Sequence, residues 1–245
     1  MSTQLTPANI ARLVEHACAI EVSAEKEGCV TFTRSIDGRS GQDFLVAAMN
    51  TAPYYEKLAR RVAADPRMPI FSYFPQALSH ANENKSEKTV NFGILEVMFQ
   101  AVYARLLTSD PEKVVDIMIA LTKREQPLDV QYLLTAREMA WKSSRKEEKR
   151  DFNSAPFAHL NSVRAFYGAL VDNFPANSSN HQWGAEFLNG LPAIRAYLSG
   201  LDKNPKYRES IEKTYRELHR DRPETKVGIL ADMAAAALFL RLSFN

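Results

Sequence analysis

Cysteine and glycine are scarce in this chain of 245 residues, which holds two cysteines and nine glycines. The cysteines, Cys18 and Cys29, supply neither a disulfide framework nor the spacing of a metal site. No apolar run is as long as a transmembrane helix, and residues 1–16 lack the basic and then apolar plan of a signal peptide. We therefore expect a cytoplasmic protein with its own hydrophobic core.

An excess of charge of either sign is also missing. The chain has 31 Lys and Arg residues against 29 Asp and Glu residues, a formal net charge of +2, and the two signs are interleaved along the sequence. This pattern shows no footprint for nucleic acid. The expected partners are small molecules, without nucleic acid or membrane, and a homodimer stays open.

The common catalytic signatures are absent as well. The sequence has no G-x-x-x-x-G-K-[ST] loop, no G-x-G-x-x-G turn, no G-x-S-x-G elbow and no H-E-x-x-H pair. The five histidines are scattered, so each is better explained by the surface or the core than by a metal. These absences remove the usual nucleotide, hydrolase and zinc-protease assignments.

Helical periodicity runs through almost the whole chain. Thr6-Pro7 is typical of a helix start, residues 41–64 continue as a second helix, and residues 90–107 are apolar on nearly every side. Further helices are expected to start at Asp110-Pro111 and at Pro156, and the proline-rich connector at residues 66–75 is expected to be irregular. Alternation typical of a strand is confined to residues 29–33, and no flexible linker or repeat divides the chain. The sequence predicts an all-α fold, a single domain over residues 1–245 with about eight to ten helices around one or two central ones.

Between the first two helices lies a polar loop that is longer than most helix connections. It carries three of the nine glycines, Gly28, Gly38 and Gly41, together with acids and bases. Glycine permits left-handed backbone and close approach of a ligand. The loop is therefore either a binding element or an ordinary solvated connection.

Three segments around this loop resemble the triphosphoribosyl-dephospho-CoA synthase family. The first is E-V-S-A-E-K-E-G-C-V at residues 21–30, followed by D-F-L-V-A-A at residues 43–48. The second is T-V-N-F-G-I-L at residues 89–95, and the third is R-P-E-T-K-V-G at residues 222–228. Their order and spacing agree with the family. The departures are Glu27 and Cys29 in place of proline and asparagine, an acid displaced to Asp37, and a single Asn91. The third motif is shortened, which leaves Lys226 without a neighbouring arginine, and a charged run at residues 143–151 replaces a glycine-rich segment.

The resemblance implies an all-helical fold and transfer of the triphosphoribosyl group of ATP to a hydroxyl of a cofactor precursor, with Mg²⁺ on the triphosphate. Relatives also occur where one-carbon or pterin cofactors are assembled, so the acceptor stays open. Carried onto this chain, it gives three candidate catalytic carboxylates, of which the last two are also candidate metal ligands: Glu21, Asp37 and Asp43. The candidate residues for binding the nucleotide are Lys26, Gly28, Asn91, Gly93 and Lys226.

Two functions follow from this reading. The first is an ATP-dependent pentosyltransferase, favoured by the joint presence of Glu21, Lys26, Gly28, Asn91 and Gly93. The second is a catalytically inactive homologue that acts as a binding or scaffold protein, favoured by the departures in every motif. Metal-dependent binding of ATP distinguishes the two.

Overall fold

Eleven α-helices account for most of the computed structural model, which describes residues 5–83, 91–143 and 153–245. The described part contains no strand, only isolated bridges at Ile36–Arg39 and Glu125–Ser162. The helices are α1 (Pro7–Ser23), α2 (Gly41–Ala64), α3 (Phe74–Ala81), α4 (Phe92–Leu107), α5 (Val114–Thr122), α6 (Pro127–Ser143), α7 (Val163–Asn173), α8 (Ser179–Leu188), α9 (Pro192–Lys203), α10 (Tyr207–Asp221) and α11 (Val227–Ser243). The all-α prediction is confirmed, with slightly more helices than expected.

Two helices, α4 and α11, form the centre of the molecule. Residues 94–104 of α4 and residues 233–240 of α11 are buried without a break, and the two helices pack against each other. A helix that is apolar on every side is stable only when other helices cover it, and here α1, α2 and α9 do so. The predicted central helix at residues 90–107 is confirmed from Phe92 onward. Residue 90 lies outside the described residues.

Local capping explains the starts of the first two helices. The Thr6 hydroxyl accepts a hydrogen bond from the Asn9 amide, and Pro7 occupies the first turn of α1. Ser40 and Asp43 form a reciprocal capping box at the start of α2. Pro53 lies inside α2 without ending it.

Three boundaries differ from the sequence prediction. The proline-rich connector, expected to be irregular, contains α3, because Pro75 lies in the first turn, where a missing amide hydrogen does no harm. The Asp110 carboxylate accepts a hydrogen bond from the Glu112 amide, which closes a turn and not a helix, and α5 begins at Val114. The helix expected from Pro156 begins at Val163, where Ser162 supplies the cap. The charged run lies outside the described residues from residue 144.

The buried apolar side chains form one cluster that extends from α1 to α11. The single-domain organisation stays a prediction. No helix in the described ranges combines the length and the apolar character needed to span a bilayer. For function, the main consequence of this packing is that the end of α1 and the first turns of α2, α4 and α11 come together beneath the loop of residues 24–40.

Candidate functional site

A cavity of about 300 Å³ lies under the loop that joins α1 to α2. Its walls come from the end of α1, from the loop itself, and from the first turns of α2, α4 and α11. Among the predicted site residues, Glu21, Gly28, Asn91 and Gly93 line it. Residues about seventy positions apart in sequence therefore share one site.

Glu21 and Lys26 form a buried ion pair at the edge of this cavity. The Lys26 Nζ lies 3.1 Å from Glu21 Oε1 and donates to the carbonyl oxygens of Glu21 and Ala24. Both side chains are almost completely enclosed, and burial raises the pKa of Glu21 while the Lys26 charge opposes that rise. Lys26 does not line the cavity, so in this structure its ammonium group holds the loop and Glu21 in place.

The loop is also tied to α10 from outside. The Glu25 amide donates to Glu212 Oε1 at 2.9 Å, and the Tyr215 hydroxyl donates to the Glu27 carbonyl. Gly28 has a φ of +76°, and a Cβ there would lie 3.2 Å from Val227 Cγ2. Glycine at this position permits both the left-handed backbone and the contact between the loop and α11.

Asp37 lies in a tight turn rather than at the cavity wall. Asp37 and Gly38 have φ values of +52° and +75°, and Ile36 and Arg39 exchange two backbone hydrogen bonds of 3.0 Å across them. Two consecutive residues with positive φ between paired neighbours are typical of a type I′ turn, which favours Asp-Gly. The exposed Asp37 carboxylate lies 3.8 Å from Arg39 Nη2.

Asp43 has a local structural role at the start of α2. Its Oδ2 accepts a hydrogen bond of 2.7 Å from the Ser40 amide. The next residue, Phe44, lines the cavity, but Asp43 does not. The predicted catalytic and metal-binding roles of Asp37 and Asp43 stay predictions, and the structure places neither carboxylate on the cavity wall.

Asn91 has an unusual conformation at the start of α4. Its φ is +60°, its side chain is 5% exposed, and its Nδ2 donates to the Phe44 carbonyl at 3.0 Å. Its Oδ1 is buried and has no hydrogen-bond partner among the described residues. A buried acceptor without a partner is costly, so this oxygen is a candidate ligand contact.

Gly93 makes room for a residue that sequence analysis missed, Asp232. An ideal Cβ at position 93 would lie 1.9 Å from Asp232 Oδ2, so only glycine permits this approach. Asp232 lines the cavity from α11. Burial, and then the nearby charges of Glu21 and Glu96, raise the pKa of Asp232 well above its usual value, while Arg39 opposes that rise. One signal in the sequence was available: Asp232 is the only charged residue between positions 227 and 240 of α11.

Arg39 was also missed. Among the described lining residues it is the only cationic one, and its Nε is buried without a hydrogen-bond partner. It lies directly after the Asp-Gly turn, which holds it at the cavity wall. Cys29 lines the cavity too, but burial raises the pKa of its thiol to about 11, so it is not a thiolate at neutral pH.

Lys226 precedes α11 at the rim of the site. Its side chain is exposed and its backbone amide donates to Gln182 Oε1 at 2.8 Å, while Val227 and Gly228 line the cavity. In the described residues neither α4 nor α11 has a side-chain cap at its first turn. Two uncapped helix N-termini at one cavity favour an anionic ligand.

A second polar cluster lies behind Gly93 and supports the cavity. Glu96 accepts hydrogen bonds from Arg137 Nη2 at 2.8 Å, from Trp183 Nε1 at 2.8 Å and from the Tyr167 hydroxyl at 3.0 Å. The Arg137 guanidinium also lies over the Phe92 ring, 5.2 Å from its centroid. This cluster anchors the first turn of α4 from inside the core.

Comparison with known proteins gives one finding. No curated protein and no solved structure matches the chain. A sequence model described as CitG, ATP:dephospho-CoA triphosphoribosyl transferase, matches residues 7–169, which is more than half of the chain. The match includes Glu21, Gly28, Asn91 and Gly93, whereas Lys226 and Asp232 lie beyond it. The chain therefore belongs to the ATP:dephospho-CoA triphosphoribosyl transferase family.

Proposed function

We propose that this protein transfers the triphosphoribosyl group of ATP to a hydroxyl group of a dephospho-CoA-like cofactor precursor in the cavity under the loop. The observation that carries the proposal is the meeting of Glu21, Gly28, Asn91 and Gly93 at one cavity. In the step, the bond between ribose C1′ and the adenine nitrogen breaks and a bond between C1′ and the acceptor oxygen forms. Adenine leaves and takes up the proton that the acceptor hydroxyl loses, so that neutral adenine is released.

Charge around the cavity supports an ATP substrate. Arg39 and the uncapped first turns of α4 and α11 are suited to phosphate oxygens. Lys226, exposed beside the first turn of α11, is a further candidate for phosphate binding. Mg²⁺ on the triphosphate would neutralise charge that these groups leave unbalanced.

The size of the cavity divides the substrate into an inner and an outer part. Ligand pockets typically measure about 300–1,000 Å³, so a cavity of about 300 Å³ is at the lower limit. We infer that it holds the ribose, its reacting bond and the phosphate attached to the ribose, with the outer phosphates toward the rim. Glu21 then provides the carboxylate near C1′, either to stabilise positive charge there or to accept the hydroxyl proton. Lys26 keeps Glu21 in position through the ion pair.

Adenine release tests this function directly. The protein is incubated with ATP, Mg²⁺ and dephospho-CoA, and adenine and the ribosylated product are measured by chromatography and mass spectrometry. Glu21→Gln should lower the rate by at least about a hundredfold, the usual scale for a positioned acid or base. Asp172→Asn, on the exposed face of α7, is the matched control and should leave the rate unchanged.

The acceptor is tested in the same assay. Hydroxyl-bearing precursors of one-carbon and pterin cofactors replace dephospho-CoA one at a time, and adenine release with one of them alone would assign that acceptor. The second candidate function, a binding or scaffold protein, is favoured by the enclosed position of Lys26, because the cation of the first motif does not reach the cavity. Metal-dependent ATP binding without adenine release for any acceptor would support that alternative.

A further inference from the structure

The buried carboxylates in the described residues have cationic partners, whereas the half-buried Asp232 does not. The four enclosed acidic side chains in the described ranges each pair with a lysine or an arginine: Glu21 with Lys26, Glu96 with Arg137, Asp129 with Arg124, and Glu186 with Arg222. Asp232, at the cavity, forms no ion pair or hydrogen bond with any described residue. The Arg39 charge acts on Asp232 without forming an ion pair with it, so Asp232 lacks the direct cationic contact that each of the other four carboxylates has.

A second oxygen at the same cavity also lacks a partner. The orientation of the Asn91 amide is fixed because its Nδ2 donates to the Phe44 carbonyl, which leaves Oδ1 on the other side. That oxygen is buried and accepts no hydrogen bond from the described residues. Asn91 is 95% enclosed and lines the cavity beside Gly93, the residue that Asp232 approaches.

We propose that Asp232 and the Asn91 Oδ1, with Glu21 in the same cavity, bind a divalent cation that arrives with the triphosphate. The inference rests on the proposed function, since the phosphates complete the coordination. Carboxylate and amide oxygens are the ligands that hard cations such as Mg²⁺ prefer.

The small number of ligands makes this binding depend on the nucleotide. In the described parts of the chain, no three histidine, cysteine or acidic side chains are grouped to hold a metal. Mg²⁺ in nucleotide sites commonly takes one or two carboxylates together with phosphate oxygens and water. The cation should therefore bind weakly to the protein alone and much more tightly when ATP is present.

This assignment differs from the one that the resemblance implied. Asp43 caps α2 and Asp37 lies in the exposed turn beside Arg39, and neither lines the cavity. Asp232 does line the cavity, at a position where Gly93 leaves space for the carboxylate. The two assignments predict different variants to lose the cation.

Manganese binding measured by electron paramagnetic resonance tests the proposal. Free Mn²⁺ is titrated into the protein with and without ATP, in the absence of acceptor. Wild-type protein should bind Mn²⁺ at least about tenfold more tightly with ATP than without it. Asp232→Asn should lose more than about tenfold in the ATP-dependent affinity, since losing even an outer partner of a metal ligand typically costs about 10–100-fold.

Controls separate a lost ligand from a lost fold. Asp172→Asn should bind as wild type does, and circular dichroism and unfolding should show that Asp232→Asn is folded. Loss of Mn²⁺ affinity in Asp37→Asn with none in Asp232→Asn would overturn the proposal in favour of the exposed turn.

The outcomes also distinguish this inference from the proposed function. Tight ATP binding that is unaffected by chelation of metal would overturn the cation site and leave the transferase standing. Intact Mn²⁺-ATP binding at Asp232 without adenine release would support the site and count against the transferase. Binding of neither ATP nor Mn²⁺ would overturn both.

Discussion

Glu96 and Asp232 are acidic residues on the two central helices, and their surroundings are opposite. Glu96, on α4, accepts hydrogen bonds from Arg137, Tyr167 and Trp183. Asp232, on α11, has no described partner and faces the cavity. A buried charge with all its partners fixes the packing of its neighbours, whereas one without partners is a cost to the fold that a ligand can offset. Glu96 therefore stabilises the packing of the core, whereas Asp232 is available to a ligand in the cavity.

The largest stability effect should come from breaking the Glu96 cluster. Glu96→Ala leaves the Arg137 guanidinium, which is only 9% exposed, without its carboxylate. Removing one partner of a buried ion pair typically costs about 3–5 kcal/mol, so the free energy of unfolding should fall by that amount. Urea denaturation measures it, and a loss below about 1 kcal/mol would show that Glu96 does not organise the core.

The surroundings of a third carboxylate, Asp129, are intermediate between those of Glu96 and Asp232. This residue should make the stability of the protein depend on pH. Its Oδ1 accepts from the Phe71 amide and its Oδ2 lies 3.4 Å from Arg124 Nη2, yet burial raises its pKa to about 6. Because the folded pKa is above the usual value, the unfolded chain ionises first as pH rises. Stability from this group should therefore be full below about pH 4 and be lost as the pH rises through about 6, by about 3 kcal/mol in total.

Asp129→Asn tests that dependence, since the asparagine oxygen can still accept from Phe71 and does not titrate. Denaturation from pH 4 to pH 7 should show a smaller decline for the variant than for wild type. Parallel curves for the two proteins would mean that the Asp129 pKa is close to its usual value.

Gly93→Ala should disturb the contact between the two central helices at the cavity. The added methyl would lie 1.9 Å from Asp232 Oδ2 and 3.2 Å from Trp183 Cζ3. Overpacking of this kind typically costs about 1–3 kcal/mol, and the displaced carboxylate should also weaken ATP-dependent Mn²⁺ binding.

A double variant sharpens this prediction. Asp232→Ala combined with Gly93→Ala removes the clash, so the pair should be more stable than the sum of the two single effects, with a coupling of about 0.5–3 kcal/mol. Mn²⁺ affinity should not return. Additive losses of stability would show that the methyl group and the carboxylate do not meet.

The smallest stability effect is expected at Asp232 itself. Asp232→Asn replaces a carboxyl group that forms no ion pair with a described residue and keeps the shape of the side chain, so the free energy of unfolding at pH 7 should change by less than about 1 kcal/mol or increase. Thermal and urea unfolding without ligand measure this. A loss of unfolding free energy comparable to that of Glu96→Ala would contradict this distinction, because Asp232 would then also stabilise the packing of the core.

Local signals in the sequence were sufficient for the helices that they start and for the fold class. Thr6 with Pro7, and Ser40 with Asp43, act over three or four residues, so the beginnings of α1 and α2 could be predicted. The apolar character of residues 92–107 likewise required a central position. Asp110 and Pro156 gave the same kind of signal, but each led only to a turn. The helix α5 begins at Val114 without a side-chain cap, and α7 begins at Val163 after the Ser162 cap.

The family motifs located part of the cavity for a different reason. Glu21, Gly28, Asn91 and Gly93 were found by resemblance, and the structure brings them to one cavity. Their functional roles stay predictions, as do those of Asp37, Asp43, Lys26 and Lys226. No local rule could have shown that the Lys26 ammonium turns inward to Glu21, since that depends on the path of the whole loop.

The sequence by itself determined that this protein is helical, that the helix at residues 92–107 is central, and that it carries the motifs of its family. Only the tertiary structure decided which polar groups face the cavity. Asp232 and Asn91 are about 140 residues apart, and they meet because α4 and α11 pack closely where Gly93 has no side chain. Helix periodicity and capping act within a few residues, whereas a site depends on contacts between helices that are distant in sequence.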